Sequence, residues 1–208
     1  MSAARVKRYD RAYYDRWYRD SDVGVGHREF VERKVLLAVA AAEFTLGRRI
    51  ESVLDVGCGE GIWRAPLRKL RPGIEYLGFD SSEYVVSRWG RTRNLRLGGL
   101  VDLRKQRLQG PYDLVVCADV LHYVPTADVR AGLGAISLLV GGAAFIEAFT
   151  NADEIVGDHD QFQDRSPAAY RKLFAAAGLI PVGLHLYVTR KMADTLVALE
   201  KGAGGRGA

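Results

Sequence analysis

Val53-Leu54-Asp55-Val56-Gly57-Cys58-Gly59-Glu60-Gly61 is the stretch on which the reading of the fold turns. A short apolar run carries a carboxylate, three glycines spaced two apart follow, and a helical pattern begins after them. Glycine suits such a turn, because a side chain would keep a ligand off the backbone and because tight turns call for positive φ. The stretch predicts a strand, a sharp turn and a helix, with Asp55 at the strand's carboxyl end, where open α/β sheets bind ligands. The spacing differs from the G-x-G-x-x-G of pyrophosphate binding, and no lysine follows as in a phosphate-cradling loop. A tight turn that binds nothing is the plain alternative. Pro66 must sit in the first turn of the helix or kink it.

Outward from this turn, Tyr76-Leu77-Gly78-Phe79-Asp80-Ser81-Ser82 is a second apolar run ending in a carboxylate, 23 residues after Gly57. That is close to the offset of about 20 residues expected of an acid that accepts from ribose hydroxyls on the next strand. The alternative for Asp80 is a helix N-cap, which Ser81 or Ser82 could fill equally well. A third run, Tyr112 to Val124, is a buried strand breaking into a loop that holds Asp119 and His122.

Short apolar runs alternate with helical stretches over most of the chain. Strands are predicted at 52–56, 75–79, 95–100, 113–117 and 143–149, several apolar throughout, as strands covered on both faces are. Helices are predicted at 62–71, 82–90, 126–139 and 168–177. Two last runs, 180–188 and 193–199, are close enough to pair antiparallel. The pattern predicts a doubly wound α/β, Rossmann-like sheet of seven mostly parallel strands with an antiparallel C-terminal hairpin. Before it, aromatic residues at i, i+4 and i+8 over 9–18 and apolar residues at 31, 35, 39 and 42 predict two helices, with a Val-Gly break at 23–26 between them. Residues 1–47 thus form a helical cap, 50–200 the core and 202–208 a flexible tail of one domain.

The composition suits a globular chain: 208 residues, 48% hydrophobic and 26% charged. No apolar run approaches the roughly 20 residues of a membrane span, and the opening residues lack the apolar segment of a secretory signal. With two cysteines, Cys58 and Cys117, a cytoplasmic setting is expected. The net charge of +5 comes from 23 arginines and 7 lysines against 25 acids, densest over Arg88–Arg107. A solvated basic face accounts for it, and nucleic acid is not the expected partner.

In combination, VLDVGCGEG (53–61), YLGFDSS (76–82), YDLVVCADVLHYV (112–124) and LLVGGAAFIEAF (138–149) resemble the class I S-adenosylmethionine-dependent methyltransferases. The resemblance implies S-adenosylmethionine as cofactor. Asp55, Gly57, Cys58 and Gly59 would then cradle its methionine part, and Asp80 with Ser81 its ribose. Asp102 and Leu103 would meet the adenine, and Cys117, Ala118 and Asp119 would line the cofactor beside the sulfonium. The loop after the fourth strand lacks the Asn/Asp-Pro-Pro-Tyr/Phe sequence used on nucleobase and glutamine amides, which leaves oxygen, sulfur, carbon and amine acceptors open.

Methyl transfer needs alignment of a nucleophile and exclusion of water, with a base only where the acceptor must lose a proton. His122 is the first candidate base and Glu147 a second, orienting group. Tyr13, Tyr14 and Trp17 form a lid able to face the sulfonium through cation–π attraction, and His159 is a candidate substrate contact. The Asp158-His159-Asp160 stretch is read as a solvated loop rather than a metal site, since neighbours in a loop point to opposite sides. The expected activity is methyl transfer to an O or N atom of a small-molecule acceptor. RNA- or protein-directed methylation, a silent cofactor-binding scaffold and a nicotinamide oxidoreductase are the competing readings.

Overall fold

The glycine turn follows β1 (Ser52–Val56), and the later apolar runs build a sheet around it: β2 (Glu75–Asp80), β3 (Leu95–Leu97), β4 (Tyr112–Ala118), β5 (Val140–Glu147), β6 (Leu179–Gly183) and β7 (Leu186–Thr189). The computed structural model describes residues 7–19, 28–155 and 157–193. The seven strands lie in the order β3-β2-β1-β4-β5-β7-β6. β1 to β5 run parallel, while β7 is antiparallel to both β5 and β6. The strand order reverses between β1 and β4, so their carboxyl ends open the crevice in which such sheets bind ligands.

The α-helices of the described residues are α1 (Arg11–Tyr14, continuing as a π turn to Arg19), α2 (Arg28–Leu46), α3 (Arg64–Leu70), α4 (Glu83–Arg93), α5 (Thr126–Leu139), α6 (Pro167–Ala176) and α7 (Arg190–Ala193). One face of the sheet is covered by Leu133 and Ile136 of α5 and Phe174 of α6, the other by Tyr14, Val35, Leu67 and Val85 of α1 to α4. This double covering is why, after their first residues, β1 and β4 read as apolar runs interrupted only by Asp55 and Asp113. Each fully buried Leu, Ile or Val contributes about 1.5–3 kcal/mol. Pro66 falls in the first turn of α3, where its missing N–H costs nothing. Ser82, not Asp80, caps α4: its Oγ accepts the Val85 N–H at 3.2 Å.

Three boundaries differ from the sequence reading. The strand expected over 95–100 stops at Leu97, because Gly98 turns at φ 154° and Leu100–Asp102 wind into a 3₁₀ turn. The strand expected at 143–149 starts at Val140 and ends at Glu147, since its pairing with β4 begins at Tyr112 opposite Val140. The run expected over 180–188 is corrected as well: it is itself a hairpin, folded at Leu184 and His185, both at left-handed φ, and the strand expected to pair with it at 193–199 lies, but for Ala193, outside the described residues. Ala193 ends α7. Residues 194–199, the 202–208 tail and the 23–26 break lie outside the described residues.

Candidate active site

The turn after β1 is built as its glycines predict. Gly57, Gly59 and Gly61 take φ of 71°, 52° and 73°. A Cβ at Gly57 would collide with Val120, and one at Gly59 with the Tyr18 hydroxyl, so both positions combine a left-handed backbone with a close approach. The turn is pinned to β2. Gly57 N–H and Cys58 N–H donate to Phe79 O at 2.8 and 3.0 Å, and Gly59 N–H donates to Asp80 Oδ2 at 2.8 Å. Asp80 Oδ1 accepts the Ser82 N–H at 2.9 Å and the Tyr14 hydroxyl at 3.5 Å. Burial raises the Asp80 carboxyl from its ordinary range, against these three hydrogen bonds.

Beside the turn, a cavity of about 320 Å³ opens at the carboxyl ends of β1, β4 and β5. Asp55, Gly57, Cys58, Ala118 and Asp119 line it on the sheet side, with Trp17, Phe30, Trp63 and Tyr123 among its aromatic walls. Asp55 is fully buried and accepts the Tyr76 hydroxyl at 2.7 Å, yet burial pushes its carboxyl up to about 7. Across the cavity, Glu147 Oε2 pairs with Lys34 Nζ at 2.6 Å, a link from β5 to α2. Asp158 pairs with Lys7 Nζ at 2.5 Å, and that ammonium lies 3.7 Å from the Tyr123 ring centroid.

His122 lies in a 3₁₀ turn, Leu121–Tyr123, just past β4. The loop is laced from behind by Arg165, a buried guanidinium with no carboxylate partner among the described residues. Arg165 donates to Leu121 O at 2.8 Å, Thr126 Oγ1 at 3.0 Å, the Tyr170 hydroxyl at 2.8 Å and Val124 O. No motif points to Arg165 or Lys34; apart from Arg165–Tyr170, the contacts that give them their roles join residues 39 to 113 positions apart in sequence.

The residues singled out from sequence divide into two groups. Asp55, Gly57, Cys58, Ala118, Asp119, His122, Glu147, Tyr13 and Trp17 converge on the one cavity. Asp80 lies outside its lining, under Tyr14, and Gly59 lies under Tyr18. Asp102 spends Oδ2 on the Gly99 N–H at 3.0 Å, with Leu103 buried behind it and Ser81 exposed nearby. Cys117 is wholly buried; both cysteines are free thiols, and burial pushes both up. His159 is exposed and does not line the cavity, although its neighbour Asp158 does. His27 lies outside the described residues.

Residues 54–141 match the family model described as a methyltransferase domain. A ubiquinone biosynthesis O-methyltransferase of Xanthomonas euvesicatoria is 30% identical over 165 residues, covering 73% of this chain and 61% of that protein. A magnesium-protoporphyrin O-methyltransferase of Synechocystis is 30% identical over 141 residues, covering 61% of this chain and 59% of its own length. The chain spans about three fifths of the length of these curated relatives. Among solved structures, the Synechocystis magnesium protoporphyrin IX methyltransferase with bound SAM superposes with a TM-score of 0.62 at 22% identity, covering 89% of this chain and 98% of that one. Among the described residues no helix is long and apolar enough to cross a membrane.

Proposed function

The chain belongs to the class I S-adenosylmethionine-dependent methyltransferases, and from that premise we propose that it methylates an oxygen or nitrogen of a small-molecule acceptor. The observation that carries this reading is the three-glycine turn: left-handed at Gly57, Gly59 and Gly61 and joined through Gly59 to Asp80, with the cavity at its side. Asp55, Gly57, Cys58, Ala118 and Asp119 around the cavity suit the cofactor's charged methionine end. Asp55, Gly57, Cys58 and Gly59 would hold the methionine part, Asp80 and Ser81 the ribose, and Asp102 and Leu103 the adenine. Cys117, Ala118 and Asp119 would flank the sulfonium, which supplies a methyl group already activated for transfer. The protein's own task is to bind, align and exclude water.

For the acceptor, Tyr13, Trp17, Phe30 and Trp63 offer apolar walls and the Glu147–Lys34 pair a polar one. The relatives' names favour oxygen over nitrogen as the methylated atom. His122 and Glu147 are the candidate proton-handling and orienting groups. Arg88–Arg107 stays a solvated basic stretch in this reading, which needs neither nucleic acid nor a membrane. A reducing, cytoplasmic setting suits two buried free thiols.

Calorimetry with S-adenosylmethionine on the wild type and on Asp80→Ala tests the reading. Micromolar binding that weakens at least tenfold in the variant is expected, since one carboxylate accepting two ribose hydroxyls is lost. A folded wild type that binds neither S-adenosylmethionine nor its demethylated product refutes it.

A further inference from the structure

Imidazole is the usual proton acceptor near neutral pH, yet the lone pair of His122 is spent inside the protein. The ring is 1% exposed, enclosed by Tyr123, Phe149 and Phe162 with ring centroids 4.2, 5.3 and 5.6 Å away. Its Nδ1 accepts the backbone N–H of Phe149 at 3.4 Å, which places the ring proton on Nε2. Nε2 in turn faces Asp119 Oδ1 at 3.2 Å, so the imidazole donates there. Neither nitrogen has a lone pair to offer a substrate.

Asp119 does. Four carboxylates line the cavity, and three are largely covered: Asp55 is 2% exposed and accepts the Tyr76 hydroxyl, while Glu147 and Asp158, with side chains 7% and 12% exposed, pair with Lys34 and Lys7. The Asp119 side chain is 42% exposed into that space, and among the described residues only His122 bonds to it, at one of its two oxygens. Its backbone is also unusual. Asp119 stands at φ 64°, a conformation L residues adopt at a cost, and its N–H is tied to Glu147 O at 3.1 Å. The chain leaves β4 in this strained bend, and the carboxylate is thereby delivered to the cavity rather than folded back on the sheet.

We propose that Asp119 accepts the proton of a hydroxyl acceptor during methyl transfer, and that His122 is the positioning residue that aims its carboxylate. The inference rests on the methyltransferase reading and deepens it by naming hydroxyl compounds as the acceptor class. The step balances. An oxygen lone pair forms the new O–C bond, and the S–C electron pair stays with sulfur as a neutral thioether. The hydroxyl proton passes to Asp119, which returns it to water. Only an acceptor that must shed a proton needs such a group, whereas an amine need only arrive neutral.

Two nucleophiles separate this role from cofactor binding: catechol, a small planar hydroxyl compound suited to aromatic walls, and iodide, which carries no proton. With S-adenosylmethionine bound, the wild type methylates both. Asp119→Asn lowers transfer to catechol about a hundredfold or more and transfer to iodide far less. His122→Gln, which keeps a side-chain N–H donor, retains most of the catechol rate, while His122→Leu loses it. Imidazole ¹⁵N shifts of the unliganded protein place the His122 proton on Nε2. Equal losses toward catechol and iodide, a His122→Gln variant as inactive as His122→Leu, or a proton on Nδ1 overturns the proposal. So does a protein that binds the cofactor and methylates neither nucleophile. Failure to bind S-adenosylmethionine at all instead refutes the methyltransferase reading beneath it.

Discussion

Asp55→Asn should stabilise the unliganded protein, and by more at pH 8 than at pH 5. The carboxylate is fully buried, and its carboxyl is pushed from 3.8 up to about 7, with desolvation outweighing the hydrogen bond from the Tyr76 hydroxyl. A carboxyl raised in the folded state favours folding below its unfolded value, and that contribution is lost as pH rises toward the folded value. Measured from the fully protonated state, the loss is about 1.5 kcal/mol at pH 5 and levels off at about 4 kcal/mol above pH 7. Asparagine has nearly the same shape, can still accept from Tyr76 through Oδ1 and does not titrate. The stability gap between variant and wild type should therefore widen by roughly 2.5 kcal/mol from pH 5 to pH 8. Urea unfolding of both proteins at the two pH values, without ligand, measures it directly. A gap that stays constant, or narrows as pH rises, refutes the assignment of burial as the dominant effect on Asp55. The same substitution should weaken S-adenosylmethionine binding, because the costly carboxylate stands where the cationic methionine part would lie. Stability is given up at this position for a charge in the crevice.

Arg165→Met should lower stability by about 3 kcal/mol, because it strands Leu121 O, Val124 O and the Thr126 and Tyr170 hydroxyls behind the His122 loop. Thermal unfolding reads that loss, and amide exchange at residues 121–126 should rise with it. Lys34→Met should cost about 2–3 kcal/mol by leaving Glu147, 5% exposed, as a buried carboxylate whose remaining ionisable partner among the described residues is the His185 imidazole, 3.9 Å from Oε1. Adding Glu147→Gln to that variant should restore most of the stability, and a double variant no more stable than Lys34→Met alone would count against the pair.

The sheet was legible because its signals are local. An apolar run reports a strand covered on both faces, and Gly57, Gly59, Gly61 and Ser82 report the turn and cap in the residues beside them. Even the position of the site follows from this, since parallel strands put all their carboxyl ends on one edge, and Asp55, Asp80, Asp119 and Glu147 all stand there. The boundaries that shifted did so where a local pattern was overruled by geometry. Leu95 to Leu100 is apolar enough for one strand, but Gly98 turns the chain; Ile180 to Val188 is long enough for one strand, but Leu184 and His185 fold it back.

What the sequence does not carry is which polar atoms remain free once the chain has folded. His122 stands out because imidazole titrates near neutrality, but its standing as a base depends on Phe149, 27 residues away, whose N–H takes the Nδ1 lone pair. Asp119 reads as one acid among several at the crevice, and it is set apart only when Tyr76, Lys34 and Lys7 have claimed the others. The same holds for the lid. Helical spacing places Tyr13, Tyr14, Trp17 and Tyr18 near one another, yet only the folded chain shows that Tyr13 and Trp17 wall the cavity while Tyr14 reaches Asp80 and Tyr18 covers Gly59. A site's residue types are thus a property of strand ends, whereas the role of each is decided by the hydrogen-bond partners that distant segments bring to it.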